Sequence, residues 1–231
     1  MRDLREDLDP VWRAMARLSP AMSAEGRVVM FTAARVGEGV SSMAASFGCM
    51  GARRSDKPVW LVDLDLRRNP LFERFEQGFA RDVGHPGRAY DASLRQTPFY
   101  KIMPTSEGHQ QNKLLTVHDV DGLPLLVTRF RGERLKSGQR VRTHHAPEWW
   151  QALRGMCSWA VVDAPALERS SAALTIAPAV DGIVLVVTAD QTSAQEIEAA
   201  RQELEAKGGR VLGVVMNQVR GDAKLAQRFS A

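Results

Sequence analysis

The sequence is poor in cysteine, tyrosine and histidine, with two, two and five of these residues among 231. Cys49 and Cys157 cannot build the disulfide framework of a small secreted domain, so we expect both to be reduced core residues. The histidines are scattered, without the Cys/His spacing of a structural zinc site. These scarcities exclude the disulfide-rich and structural-zinc classes of protein.

Long apolar runs are also missing. The sequence has no run of about eighteen apolar residues, the length that spans a bilayer. The first eight residues mix both charge signs and lack the apolar stretch of a signal peptide. We therefore expect a cytoplasmic protein. Its composition, 44% hydrophobic and 25% charged, suits one moderately large globular domain.

The net charge is mildly basic, at +4, and part of the excess lies between residues 129 and 145. That segment contains Arg129, Arg131, Arg134, Lys136, Arg140, Arg142, His144 and His145, opposed by Glu133. A solvated loop is one interpretation, and a contact with anionic lipid, nucleic acid or an acidic partner is the other. We expect no specific nucleic-acid partner.

Buried apolar strands alternate with helical segments along most of the chain. This alternation predicts an α/β fold with a doubly wound, mostly parallel sheet flanked by helices. The predicted strands are 27–32, 58–63, 123–130, 159–163, 181–188 and 210–217, and the predicted helices are 41–54, 146–156 and 191–207.

The remaining segments define the predicted domain organisation. Residues 1–25 form a helical lead-in, whose helix starts at Asp9-Pro10 and ends at Ser19-Pro20. Residues 26–231 form a single domain with an irregular insert at about 78–122, in which a short helix is predicted near 89–94.

The segment after the first strand matches a phosphate-binding loop that has lost its lysine. The pattern G-x-x-x-x-G-K-[ST] requires a strand before it and a helix after it. Ala34 takes the first glycine position, Gly39 the second, Val40 the lysine position and Ser41 the hydroxyl position. Backbone amides hold phosphates in such a loop and the lysine adds a charge. We therefore expect weak nucleotide binding and poor phosphoryl transfer; an ordinary glycine turn is the alternative.

Carboxylates follow two of the predicted strands. Asp63 and Asp65 come at the end of the second strand, and Asp163 ends the strand at 159–163. Ligands of parallel α/β sheets bind at the carboxyl ends of the strands, where the glycine loop also lies. Simple capping of the strand ends is the alternative interpretation.

Four motifs follow one another along the chain: Ala33–Ser42, Asp63–Pro70, Asp163–Ala166, and Asp181–Val187 with Gly213–Asn217. In the same order they resemble S-A-x-P-G-E-G-K-S-T, D-x-D-x-R-x-P, D-x-P-P, and D-G-h-h-h-V-V followed by G-h-V-h-N. These are the motifs of the cytoplasmic P-loop domains of bacterial tyrosine kinases of capsule and exopolysaccharide systems, within the MinD/ParA-like ATPases. The resemblance covers residues 10 to 220.

The resemblance implies a role for each matching position. The nucleotide-binding residues would be Arg35, Gly37, Glu38, Gly39, Val40, Ser41, Ser42 and Asn217. Asp63 and Asp65 would be catalytic in an active enzyme, and Ser41 and Asp163 would hold Mg²⁺. Asn217 would form a hydrogen bond with the edge of an adenine base. The alternative is that Asn217 is an ordinary turn residue. The implied cofactor is Mg-ATP or ADP, bound weakly if at all.

The chain also departs from this family in three places. Val40 replaces the loop lysine, and the assembly motif E-x-x-R-x-x-R keeps only Arg13, with Pro10 and Ala16 at its other positions. The segment 221–231 has none of the tyrosines that family members phosphorylate on one another.

These departures favour a pseudo-kinase that regulates synthesis or export of a capsule-like or holdfast-like exopolysaccharide. Its expected partner is an inner-membrane polysaccharide co-polymerase, which would hold it at the membrane periphery, and a homo-oligomer is left open. The basic segment and the N-terminal helix are the candidate docking surfaces. One alternative is an active Mg-ATP-dependent tyrosine kinase or ATPase that uses Arg35 or another cation. The other is a ParA/MinD-type positioning ATPase.

Overall fold

The centre of the fold is an eight-stranded sheet in which six neighbouring strands run parallel and two antiparallel strands extend one edge. The computed structural model describes residues 1–17, 25–104 and 113–218. The strands are β1 (Arg27–Thr32), β2 (Val59–Asp63), β3 (Pro86–Asp91), β4 (Tyr100–Met103), β5 (Leu115–Val120), β6 (Leu123–Phe130), β7 (Arg140–Thr143), β8 (Trp159–Asp163), β9 (Gly182–Thr188) and β10 (Val211–Asn217). The helices are α1 (Asp9–Arg17), α2 (Val40–Ala52), α3 (Pro70–Glu76), α4 (Pro147–Met156), α5 (Ala172–Ile176) and α6 (Ala194–Ala206).

The strand order is β10-β9-β1-β8-β2-β6-β5-β3, so β8 lies between β1 and β2 although it follows both in sequence. Strands β4 and β7 form a separate antiparallel pair. The prediction of a doubly wound, mostly parallel sheet is therefore confirmed. Because β1 sits in the parallel region, the loop after it opens among the carboxyl ends of its neighbours.

Helices cover both faces of the sheet, and side chains alternate between the two cores along β1. Val29 and Phe31 belong to the core that includes α2 and α3. Val28 and Met30 belong to the other core, with α4, α5, α6 and β4. Burial on both faces explains why the central strands are continuous apolar runs rather than alternating ones.

The N-terminal segment packs on the same domain through α1. The ring of Trp12 lies 5.1 Å from that of Phe47 and 5.4 Å from that of Trp159, and the guanidinium of Arg54 stacks over it. Met15 is buried in the core under α2, together with residues from the turn before α1. The predicted end of this helix at Ser19-Pro20 lies outside the described residues.

The short helix predicted near 89–94 is wrong. Ala89 and Tyr90 belong to edge strand β3, where they pair with His118 and Val117 of β5. Leu94 has φ of 52°, outside the right-handed helical region. Pairing along the open edge of β5 overrides the weak helical tendency of this segment, since strand formation depends more on context than on propensity.

The insert predicted to be irregular contains the strands β3, β4 and β5. Residues 105–112 lie outside the part of the chain that the structure describes. Strands β5 and β6 form a hairpin across the two-residue turn Asp121-Gly122, in which Gly122 has φ of +76°. Asp-Gly between apolar runs is a strong hairpin signal, so this part of the predicted irregular insert is regular. The basic segment is likewise not one loop, because Arg140 and Arg142 lie in β7.

Both cysteines are buried and carry free thiols. Burial raises the pKa of the Cys49 and Cys157 thiols to about 12. Across the described ranges, no helix is long and apolar enough to cross a bilayer. The segment 221–231, from which the tyrosine cluster is missing, falls outside the described residues.

We expect Trp12→Ala to lower the free energy of unfolding by about 2–3 kcal/mol, because a large, half-buried aromatic contact with Phe47 and Trp159 would be lost. Chemical denaturation measures the change. Met156→Ala, at an exposed position on α4, is the matched control and should change stability by less than about 0.5 kcal/mol. Equal stability of the two variants would show that docking of α1 contributes little to the fold.

Candidate functional site

The loop between β1 and α2 has the backbone of an anion-binding turn. Gly37 and Gly39 have φ of +93° and +90°, a region that disfavours other residues. A Cβ on Gly39 would also lie 2.1 Å from Nδ2 of Asn217. Within the part of the chain that the structure describes, the amides from Gly37 to Ser42 have no hydrogen-bond acceptor. They remain available to an anion at the N-terminus of α2.

Glu38 braces this loop rather than facing a ligand. Its buried carboxylate accepts hydrogen bonds from the amide of Arg35 at 3.0 Å, from the amide of Thr188 at 3.1 Å and from the hydroxyl of Thr192. These bonds tie the loop to the end of β9. The backbone amide of Glu38 is therefore the group of this residue that remains available to an anion.

Asn217, predicted to bond an adenine edge, lies beside the loop at the end of β10. Its Nδ2 donates to the carbonyl of Glu38 at 2.8 Å, and its Oδ1 accepts from the amide of Gln218 at 2.9 Å. The side-chain amide therefore holds the second glycine of the loop in place. The adenine contact stays a prediction.

The predicted carboxylates meet at the carboxyl edge of the sheet. Phe31 of β1 is in register with Asp163 of β8, and Asp163 with Asp63 of β2. The hydroxyl of Ser41 lies beside Asp163 and favours its ionised form, so the loop meets the sheet here. Asp63 accepts from the amides of Asp65 at 2.8 Å and Leu71 at 3.1 Å.

Burial dominates the electrostatics of this carboxylate pair. Desolvation, and secondarily the charge on Asp163, raises the pKa of Asp63 well above its usual range. Desolvation also raises the pKa of Asp163 to about 7, although the Ser41 hydroxyl and the charge on Arg169 favour its ionised form. Ionising both groups together is costly unless a cation shares the site.

Two arginines line the cavity that lies between the loop and the carboxylates, and both are held in ion pairs. Arg35 contacts Glu196 on α6 at 2.5 Å. Arg169, from the loop after β8, pairs with Asp65. The predicted catalytic group Asp65 is therefore engaged with a cation, and Arg35 is directed to the N-terminal turn of α6.

The cavity enclosed by these groups has a volume of about 250 Å³ and is also lined by Met1 and Val40. Its wall includes Ser42, whose hydroxyl accepts from the amide of Arg2 at 2.9 Å. In the described ranges, no group of three or more His, Cys, Asp or Glu side chains is placed to hold a metal ion. The oxygen donors of Ser41 and Asp163 fit a Mg²⁺ ion that takes its other ligands from phosphates and water.

Sequence reasoning missed Glu168 and Arg169, which follow the Asp163 motif by a few residues. Oε1 of Glu168 accepts from the amide of Val36 at 2.5 Å, and the amide of Glu168 donates to the carbonyl of Ala34. The segment after β8 therefore packs along the loop. Their position in the sequence could have indicated this role, because both residues follow the end of a strand at the same edge of the sheet.

No protein-family model matches the chain. Tyrosine-protein kinase CpsD of Streptococcus agalactiae is 30% identical to it over 69 residues, which cover 30% of this chain and 30% of that relative. The matched stretch thus spans less than a third of the length of either protein.

Solved structures resemble the chain over most of its length. The kinase domain of the Escherichia coli tyrosine kinase ETK has a TM-score of 0.61 at 20% identity, over 93% of this chain and 75% of that one. The VpsO kinase domain has a TM-score of 0.54 at 20% identity, over 93% and 98%. MinD of Aquifex aeolicus has a TM-score of 0.53 at 19% identity, over 89% and 73%. The MinD/ParA-like P-loop fold, shared with bacterial tyrosine kinase domains, is confirmed.

The raised pKa of Asp163 predicts a pH-dependent stability. In the unfolded chain this carboxyl ionises near pH 4, and in the folded protein near pH 7. The folded state therefore binds more protons between these values, so its stability falls as the pH rises from about 4 to 7. We expect Asp163→Asn to remove this loss, adding at least about 1 kcal/mol at pH 8, or about 2–4 °C in melting temperature, and little at pH 4.

Thermal unfolding at both pH values checks this expectation. Asp56→Asn, an exposed position before β2 at the opposite edge of the sheet, is the matched control and should have no such pH dependence. An Asp163→Asn effect of equal size at both pH values would contradict the assignment of the cost to ionisation.

Proposed function

We propose that this chain is a pseudo-kinase-like P-loop protein that regulates synthesis or export of an exopolysaccharide by binding a membrane polysaccharide co-polymerase. The observation that carries the proposal is the loop from Gly37 to Ser42, whose amides are available to an anion although Val40 stands at the lysine position. Nucleotide binding is then weak, and phosphoryl transfer is inefficient.

The charges around the loop support weak binding. Val40 is half-buried and packs against the apolar core under α2 while lining the cavity. A hydrogen bond to a charged group is worth about 1.5–3 kcal/mol, so the missing lysine weakens phosphate binding by roughly ten- to a hundredfold. Phosphoryl transfer suffers more, because its catalysis depends on electrostatic stabilisation of the transferring group.

The position of Arg35 disfavours an active enzyme in which this residue replaces the lysine. Its guanidinium pairs with Glu196, so it must leave that partner before it can reach a phosphate. Arg169, the other arginine lining the cavity, must likewise leave Asp65. While both ion pairs are formed, neither arginine offers an uncompensated positive charge to a phosphate.

We expect calorimetric titration of ATP and ADP with Mg²⁺ to give binding weaker than micromolar for the natural chain and at least about tenfold tighter binding for Val40→Lys. The physical reason is the point charge that lysine adds at the phosphates. Val40→Met is the matched control, because it lengthens the side chain without adding charge, and it should bind like the natural chain.

Three outcomes would contradict the nucleotide part of this proposal. Micromolar binding by the natural chain, with Mg²⁺-dependent turnover that disappears in Asp63→Asn, would establish an active enzyme. Equal gains in Val40→Lys and Val40→Met would show that side-chain length, not charge, limits binding. No binding by either variant would show that the loop does not form a nucleotide site.

The partner part of the proposal is tested separately. Arg134 and Lys136, in the basic segment between β6 and β7, are exposed and make no ion pair within the described residues. We expect the double charge reversal Arg134→Glu/Lys136→Glu to reduce co-purification with the co-polymerase of the same organism at least severalfold, with Arg81→Glu as control. Unchanged co-purification would overturn this docking surface, and failure of the natural chain to co-purify would overturn the partner.

A further inference from the structure

A second and larger cavity adjoins the one at the P-loop. It has a volume of about 770 Å³ and forms where the loop after β2, strand β7 and the loop before α5 meet. Five arginines line it, and we call it the arginine cavity: Arg67, Arg68, Arg140, Arg142 and Arg169. They come from three separate segments, so the fold alone brings them together.

Most of this charge is uncompensated. Asp65 is the one carboxylate among the residues that line the arginine cavity, and it pairs with Arg169. In the described part of the chain, the guanidinium groups of the other four arginines make no ion pair or hydrogen bond. An exposed guanidinium is hydrated, but four of them around one cavity repel one another, and a bound anion relieves that repulsion.

Strand β7 concentrates the charge further. Arg140 and Arg142 are two residues apart, so their side chains leave the same face of the strand. Arg142 is in register with Lys101 of β4. Like charges directly opposite each other destabilise a strand pair. A short strand pair with this arrangement is better suited to binding an anion than to stabilising the sheet.

The lining defines the class of anion. Guanidinium groups match phosphate oxygens in a bidentate geometry, and the hydroxyls of Thr143 and Ser171 add donors to the wall. No aromatic residue is among the described residues that line the cavity, so it offers no platform for stacking a base. Its volume lies in the range of small-molecule sites. Recognition here depends on phosphates and not on a base.

We propose that the arginine cavity binds a small molecule that carries two or more phosphates. The assignment is independent of the function proposed for the P-loop, because Arg140 and Arg142 line the arginine cavity and not the cavity at the loop. Arg169 lines both, so the two sites are neighbours.

The test is calorimetric titration of the full chain with inorganic triphosphate and with diphosphate, without Mg²⁺. We expect binding that weakens at least about tenfold in Arg140→Glu/Arg142→Glu and also weakens in Arg140→Gln/Arg142→Gln, which guards against misfolding by charge reversal. Arg81→Glu/Arg88→Glu makes the same change of charge at exposed positions outside both cavities and should bind like the natural chain.

Several results would overturn the proposal. These are absence of triphosphate binding at millimolar concentration, binding unaffected by the Arg140 and Arg142 variants, and an equal loss in the control pair. Binding of anionic vesicles that depends on Arg140 and Arg142, without triphosphate binding, would assign the cavity to lipid headgroups instead. Failure of the P-loop proposal would be seen in a different measurement, namely ATP binding and its response to Val40→Lys.

Discussion

The neighbouring parallel strands β1, β8 and β2 end level with one another. The geometry of the candidate site depends on that register. Phe31 pairs with Asp163 and Asp163 with Asp63, so the loop after β1 begins one or two strand spacings, each about 4.8 Å, from both carboxylates. Every residue of β2 and β8 is buried. A slip of one residue would turn each carboxylate to the opposite face of the sheet and separate it from Ser41.

Burial makes this arrangement costly, and local hydrogen bonds offset part of the cost. Asp63 accepts hydrogen bonds from two backbone amides, and the Ser41 hydroxyl favours the ionised form of Asp163. Since the lysine position is Val40, what remains to attract an anion is the set of free amides and the N-terminus of α2. In the function that we propose, the loop therefore recognises phosphate by backbone geometry, with little charge to stabilise a transferring phosphoryl group.

The sequence revealed the parts of the fold that depend on local pattern. The strands β1, β2, β8 and β9 are continuous apolar runs, and the loop, Asp63 and Asp163 follow from strand ends. Strand β3 gave no such signal, because most of its side chains are exposed and its partner β5 supplies its stability. The brace at Glu38 was also unpredictable, since its acceptor role requires Thr188 and Thr192, about 150 residues away, to reach the loop.

The charge that the loop lacks is present nearby, in the arginine cavity. Its guanidinium groups come from segments that sequence spacing does not connect, with Arg67 after β2, Arg140 on β7 and Arg169 after β8. Fixed dipoles and net charges respond differently to salt, because mobile ions screen exposed charges over about 8 Å at physiological ionic strength. In our two proposals, binding at the loop depends on the arrangement of six amides, whereas binding at the arginine cavity depends on net charge. Rising salt should therefore weaken the second much more than the first, so ionic strength separates the two neighbouring sites even when one phosphate compound occupies both.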